Sequence, residues 1–452
     1  MKDFFRIVCS NRLSALILGI AIVVLANRLC SAEKPDVAID FSGYTAYQAG
    51  EIVKGMYGTS RDPLDHQWQQ FLYGGFDLSA TVNKRLKIVF GPECELAQAV
   101  YDLSQATNYS ADLESFDAFF KFYLDQMKGT YSFGDLEDPY LKITLGYFKY
   151  TYNHDVKSLG EYLFRATAYP GYILNDFASV YKRLPGLCIE SKPIPSLKVD
   201  VLLTSETSFP VGDFTPSLVA SYALGGQENH PLVDFGAGIS ATRLIKINPA
   251  LTTPKYPANQ LVQFDTIVGA ANDTTILGDT TYFSFAGTKI MARFSLDFKQ
   301  FFGGPGIFGD EDLKLYAEGC ILGTKNYPVV YDSILRRIPI MVGFNFPTFK
   351  FLDVLSGEVE WYNSKYSNNY QSTHFASNKS PLPIGGASEP LHDAWYWDIY
   401  AAKTIVHGLQ IMGDVGRTHY FTTANLSFYK DEREECPSHG DWQFTLRAQY
   451  SF

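Results

Sequence analysis

The sequence predicts an all-β fold: a transmembrane antiparallel β-barrel of about 16 strands, closed on itself, with one or two helices in its loops. Three observations carry that expectation. Apolar and polar residues alternate in short segments along the chain, connections between those segments alternate between short and long, and the N-terminus reads as an export signal. Composition sets the frame. The 452 residues are 19% charged and 15% aromatic, with 30 Tyr and 34 Phe, and mean hydropathy is −0.08. That is too polar for a helical membrane bundle and rich in aromatics for a soluble enzyme.

Lys2, Arg6 and Arg12 form a basic region, residues 13–26 form an uncharged apolar core, and Cys30, Ser31 and Ala32 place small residues before Glu33. This is the layout of a secretory signal peptide over 1–32, leaving 33–452 as a single barrel domain. The apolar core falls short of the roughly 20 residues that span a bilayer as a helix. Leu29 before Cys30 argues against a lipoprotein. Removing 1–32 takes away Lys2, Arg6, Arg12, Arg28 and Asp3, which leaves 34 basic and 47 acidic residues, a net charge of −13. Such a balance excludes nucleic acid as the natural partner. Cys94, Cys188, Cys320 and Cys436 remain, enough for two disulfides in three connectivities or for free thiols.

The alternation is clearest at the C-terminus. Trp442, Phe444, Leu446, Ala448, Tyr450 and Phe452 alternate with Gln443, Thr445, Arg447, Gln449 and Ser451. This segment resembles the last strand of Gram-negative outer-membrane proteins. The resemblance implies residence in the cell outer membrane, contact with its lipid, and Phe452 as the signal read by the barrel-assembly machinery. The same pattern predicts strands centred near Gly43, Phe76, Ile88, Phe133, Leu145, Leu187, Val201, Ala220, Ala237, Ala292, Tyr316, Val342, Gly357, Ile399, Met412 and Leu446. On the polar faces, Lys87, Lys142, Lys289, Arg293 and Arg447 are costly in lipid and comfortable in a wet lumen, so they are expected on the inner wall.

The connections sort by parity. Short ones are expected around Asn83 and Lys84, at 137–139, 191–195, 225–231, 347–350 and 403–408; these are the periplasmic turns, with 300–310 a longer exception. Long external loops are expected at 99–128, 151–181, 245–280, 363–393 and 422–441. One loop reads as helical: Leu113, Phe116, Phe120, Tyr123, Leu124 and Met127 share a helical face, with Ser110 to cap it and Gly129 to end it.

Counting from the N-terminus, the third external loop is 151–181. With the strand before it the chain reads LGYFKYTYNHDVKSLGEYLFRATAYPGY. Over 141–172 this resembles the strand-and-loop region of bacterial porins, including the phosphate-selective porin family, in which a GYFK-like strand leads into the constriction. The resemblance implies a channel for passive diffusion of small polar or charged solutes, a homotrimer, and a constriction loop in which Asp155, Lys157, Glu161 and Arg165 supply charge. Read by spacing alone, Glu161 and Arg165 form an i,i+4 helical pair in solvent. The loop holds no basic cluster that would mark phosphate selection.

No catalytic pattern stands out. His392 and Asp393 are adjacent, so on a strand they point to opposite faces, and His374, His407, His419 and His439 lack metal-ligand spacing. Neither an enzyme nor a cofactor is expected. The competing class is a barrel that anchors surface loops binding a polysaccharide or a protein partner, with Tyr366, Tyr370, His374 and Phe375 available to stack on sugars.

Overall fold

The computed structural model describes residues 36–57, 62–63, 65–100, 119–168, 172–173, 182–205, 213–227, 230–245, 247, 261–263, 267–268, 275–276, 281–282, 286–302, 306–326, 333–364, 393–419, 436 and 438–452. The expected signal peptide lies outside them, as do Ser110, Leu113, Phe116, Tyr366, Tyr370, His374 and Phe375.

Sixteen strands close into one barrel. In chain order they are β1 (Val37–Lys54), β2 (Gln67–Val82), β3 (Leu86–Val100), β4 (Phe119–Gly134), β5 (Pro139–Tyr150), β6 (Lys182–Ile194), β7 (Leu197–Ser205) and β8 (Phe214–Gln227). The second half holds β9 (His230–Thr242), β10 (Gly287–Asp297), β11 (Lys314–Ile321), β12 (Pro339–Asn345), β13 (Val354–Ser364), β14 (Asp393–Val406), β15 (Leu409–Arg417) and β16 (Trp442–Ser451). Each strand pairs antiparallel with its sequence neighbours, and β1 pairs with β16 to close the ring. All sixteen expected strand centres lie within these segments. Among the described residues no helix is long and apolar enough to cross a membrane.

The faces separate as the alternation requires. Phe41, Leu72, Leu78, Ile88, Phe90, Val201, Ile239, Val342, Ile399 and Leu446 are exposed on the outside, a belt suited to hydrocarbon. Inward positions such as Gln48, Ser79, Thr144, Asp200, Ser217 and Thr445 are buried and polar.

Connections at one end are tight. Asn83 and Lys84 take φ of 49° and 57°, the left-handed pair that a two-residue hairpin needs to follow strand twist. Asp36 meets Asn83 there. Several hairpins keep pairing further than expected: β6 runs through Ile194, β8 through Gln227 and β14 through Val406. The long turn between β10 and β11 is organised by Asp312, which accepts from Gly309 N (2.8 Å), Thr348 Oγ1 (2.8 Å) and Phe349 N (3.1 Å). It therefore ties this turn to the one between β12 and β13, and those donors hold its carboxyl below the usual range against the opposing effect of burial.

One expectation is corrected. Phe120, Tyr123, Leu124 and Met127 belong to strand β4, not to a loop helix. The register of β4 against β3 shifts between Gly91 and Pro92; Pro92 has no N–H for a ladder, and an extra residue bulges opposite it. Asp125 and Gln126 are consequently both buried. Phe122 is exposed outside while Tyr123 lies against the inward Arg183, so the helix-like spacing combines residues of both faces. The helices that do occur in the described connections are short: an α-helical turn at Tyr162–Arg165 (α1) and 3-10 turns at Phe298–Phe302 and Ile334–Arg337. Among the described residues, Cys94, Cys188 and Cys320 are free thiols.

At the closing seam Gly43 N donates to Phe452 O (3.0 Å) and Phe452 N to Gly43 O (2.9 Å). A Cβ on Gly43 would stand 2.8 Å from both Gly75 O and the Phe452 ring. Gly43→Val is expected to destabilise the barrel by about 1–3 kcal/mol through this overpacking, measured as a lower temperature for the folded-to-unfolded band shift in a gel.

Candidate functional site: the lumen and its inward loop

The connection between β5 and β6 turns into the barrel. Val156, Leu159, Tyr162 and Leu163 are almost fully buried and join a cluster with Phe148, Leu184, Leu202, Val219, Met291, Tyr316, Met341 and Tyr396 on the surrounding wall. Gly238 leaves the space that Leu163 fills, since a Cβ there would sit 3.0 Å from Leu163 Cδ2.

Apolar packing does not dispose of the loop's backbone, whose buried N–H groups need acceptors. Carboxylates supply them. On β13, Glu358 accepts from Lys157 N (2.6 Å), Ser158 N (2.9 Å) and Leu159 N (2.6 Å). On β11, Glu318 accepts from Glu161 N (3.2 Å), Tyr162 N (2.9 Å), Tyr152 Oη (2.6 Å) and Asn153 Nδ2 (2.8 Å). Glu161 accepts from Thr151 Oγ1 (2.9 Å), Tyr152 N (3.0 Å) and Asn153 N. Glu360 accepts from Tyr162 Oη (2.5 Å) and faces His419 Nε2 at 2.6 Å. Gly160 and Glu161 take positive φ of 99° and 58°, and this sharp turn precedes the amides received by Glu318. A non-glycine residue held there is strained; its carboxylate and its amide are both bound.

Tyr316 fixes Glu358. Its hydroxyl donates to Glu358 Oε1 (2.8 Å), and its ring lies over Gly343, where a Cβ would be 2.2 Å from the ring. Burial, with Glu318 beside it, pushes the Glu161 carboxyl up to about 8.

The loop reaches far along the wall. Asp155 receives Ser295 Oγ (2.6 Å) and Lys314 Nζ (3.3 Å), and Lys157 Nζ pairs with Glu311 at 3.2 Å. Lys314 opens β11, so these contacts sit at the short-turn end. Lys314, Ser295 and Lys157 outweigh burial and hold the Asp155 carboxyl below its ordinary range.

The expected loop residues therefore divide. Asp155 and Lys157 lie on the partly exposed side of the loop, whereas Glu161 and Arg165 are fully buried. Arg165 donates through Nη1 to Ser158 O. The pair is not a solvated helical pair, because its segment is packed between loop and wall. Among the expected wall residues, Lys87 is exposed and Lys142 half-buried opposite Glu190. Lys289 is buried. Arg293 pairs with Asp234 at 2.8 Å, and the Arg447 guanidinium lies 4.9 Å from the Tyr73 ring centre. Phe452 sits in the seam. Sequence reading missed Glu318, Glu358 and Glu360; their signal was acidic residues at inward positions of strands, period two apart for the last pair.

Across from the loop other charges interlock. Arg183 on β6 reaches Asp125 (2.7 Å) and Glu93 (3.2 Å), Lys149 pairs with Asp125 at 2.5 Å, and Lys198 bridges Glu190 and Asp200 at 3.1 Å each.

No family model matches this chain, and no curated protein matches it. Solved structures that resemble it are porins. A mutant of Rh. blastica porin is 8% identical, with 92% of this chain and 100% of that chain covered at a TM-score of 0.45. Salmonella typhi OmpF in complex with daunomycin is 12% identical, with 92% and 97% covered at 0.45. Pseudomonas putida OprB in a low-pH structure is 11% identical, with 92% of each covered at 0.40. Likeness at this level leaves function to the chain's own geometry.

Glu358→Ala is expected to strip three loop amides of their acceptor, at about 1–3 kcal/mol for each buried group left unsatisfied; hydrogen exchange at Lys157, Ser158 and Leu159 should rise sharply while strand amides stay protected. A pH dependence follows from Glu161. Its folded value lies above the ordinary carboxyl value, so its contribution is complete below about pH 4.5 and is lost as pH rises through about 8. Limited proteolysis of the loop should therefore be slower at pH 6 than at pH 9 relative to a control substrate, and Glu161→Gln should flatten that difference.

Proposed function

We propose that this chain is an outer-membrane, porin-like channel through which small polar or charged solutes diffuse passively. The observation that supports it is a loop drawn into the lumen of a closed barrel and clamped there by wall carboxylates. A plain membrane anchor does not require its interior to be dressed in this way. The apolar outer belt fits a bilayer, the signal-like segment 1–32 fits export, and the resulting location is the cell outer membrane.

In this reading the loop narrows the lumen. Asp155 and Lys157 supply charge on its exposed side, while Glu161 and Arg165 keep its shape. Lys87, Lys142, Arg293 and Arg447 contribute from the wall. Acidic groups concentrate behind the loop on β11 and β13, while acidic and basic groups interlock across from it. Charges opposed across a narrow passage orient polar solutes and set ion preference.

The test is conductance of the refolded mature chain in a planar bilayer. Stepwise, stable channels are expected, and Glu318→Ala combined with Glu358→Ala should raise the single-channel conductance by releasing the loop. A heat-modifiable, folded barrel that stays electrically silent would overturn the proposal and turn attention to the surface loops as a binding site.

A further inference from the structure

On one side of the barrel the apolar outer face does not end with the strands. Phe346 follows the last residue of β12. Its ring centre lies 5.2 Å from that of Phe344, and a Cβ on Gly357 would stand 3.2 Å from the ring. From there the turns carry the surface on. Between β10 and β11, Phe301, Phe302 and Ile307 are 64%, 70% and 68% exposed, and between β12 and β13, Phe349 and Phe351 are 58% and 80% exposed. Belt residues on the strand itself are better covered, Ile340 at 43% and Val342 at 47%.

The turns on the opposite side of the ring are built otherwise. Asn83 and Lys84 are exposed between β2 and β3, and Asp135, Glu137 and Asp138 between β4 and β5, where Leu136 is the one large apolar side chain. Reversing the chain requires only such polar or small residues.

The two apolar turns are locked into one plate. Asp312 joins them through Gly309, Thr348 and Phe349. Lys350 Nζ donates to Gly306 O (3.0 Å), and Phe351 N to Thr348 O (3.0 Å). The Phe308 ring stacks on Phe349 at 5.7 Å and meets Phe302 at 6.2 Å. From the next turn of the same arc, Lys403 Nζ donates to Lys350 O (3.1 Å). Large apolar side chains held outward in fixed positions mark a surface that is covered in use.

Continuity identifies the cover. The plate prolongs the outer belt of β12, which faces hydrocarbon, and aromatic side chains favour the level where acyl chains give way to headgroups. We propose that turns 298–313 and 346–353 form an apolar foot resting in the headgroup boundary of the bilayer, which carries lipid contact past the strand ends on this arc and not on the arc of Asn83 and Lys84. The proposal rests on the membrane-barrel reading above. An apolar span longer on one side than on the other is met by tilt or by local thickening of the bilayer.

The experiment places a photoreactive p-benzoylphenylalanine, one position at a time, at Phe302, Phe351, Val342 and Lys84 of the mature chain refolded into vesicles of phosphatidylcholine and phosphatidylglycerol. After irradiation the adducts are assigned by mass. All four positions are exposed, and heat-modifiable mobility reports that each variant has folded. Phe302 and Phe351 should give phospholipid adducts as readily as the belt position Val342. They should do so about tenfold more readily than Lys84, the partition ratio for roughly 60 Å² of apolar surface withdrawn from water. Adducts to a second copy of the chain, or none to lipid where Val342 gives them, overturn the foot and leave the membrane barrel standing. Equal yields at Lys84 overturn its confinement to one arc. A folded barrel in which Val342 itself gives no lipid adduct overturns the bilayer reading and the foot with it.

Discussion

A buried carboxylate needs donors, and a buried stretch of irregular backbone needs acceptors; in this protein each answers the other. Glu318, Glu358 and Glu161 are removed from water, and the loop amides at Lys157–Leu159, Glu161–Tyr162 and Tyr152–Asn153 are removed from water beside them. Neither set would be tolerable alone. Together they satisfy one another, and donors to an ionised carboxylate are among the stronger hydrogen bonds available. The position of the loop and the shape of the remaining passage depend on this exchange.

The clamp has its own supports. Tyr316 can hold Glu358 only because Gly343 leaves room for its ring. Tyr152 and Tyr162 carry the loop's apolar packing and also donate to Glu318 and Glu360. Each aromatic side chain places its ring in the cluster and its hydroxyl on a carboxylate, the combination that favours buried tyrosine.

Much of the fold was legible in the sequence because period two is a local property. Segments such as 442–452 and 289–298 show it without reference to any partner, and the two-residue turn at Asn83 and Lys84 carries its own signature. The reading failed at Asp125 and Gln126, where a bulge set by Pro92 on the neighbouring strand interrupts the period. A partner's proline cannot be felt within the segment itself. The site was less legible for a related reason. Asp155 and Lys157 could be named from the loop, but Glu318, Glu358 and Glu360 sit on strands more than 150 residues away. Their role exists only once the barrel brings them opposite the loop. For the same reason Glu161 and Arg165 looked like surface groups until a wall covered them.

The seam between β1 and β16 has a consequence for the order of assembly. Thr45 lies opposite Tyr450, so some 400 residues separate partners whose pairing completes the ring, while every other wall contact joins neighbouring strands. Loop-closure entropy makes such a contact the slowest to form. Until it does, β1 and β16 are two raw sheet edges, each a template for a wrong neighbour. The barrel is therefore most vulnerable to misassociation in the interval when fifteen of its sixteen interfaces already exist.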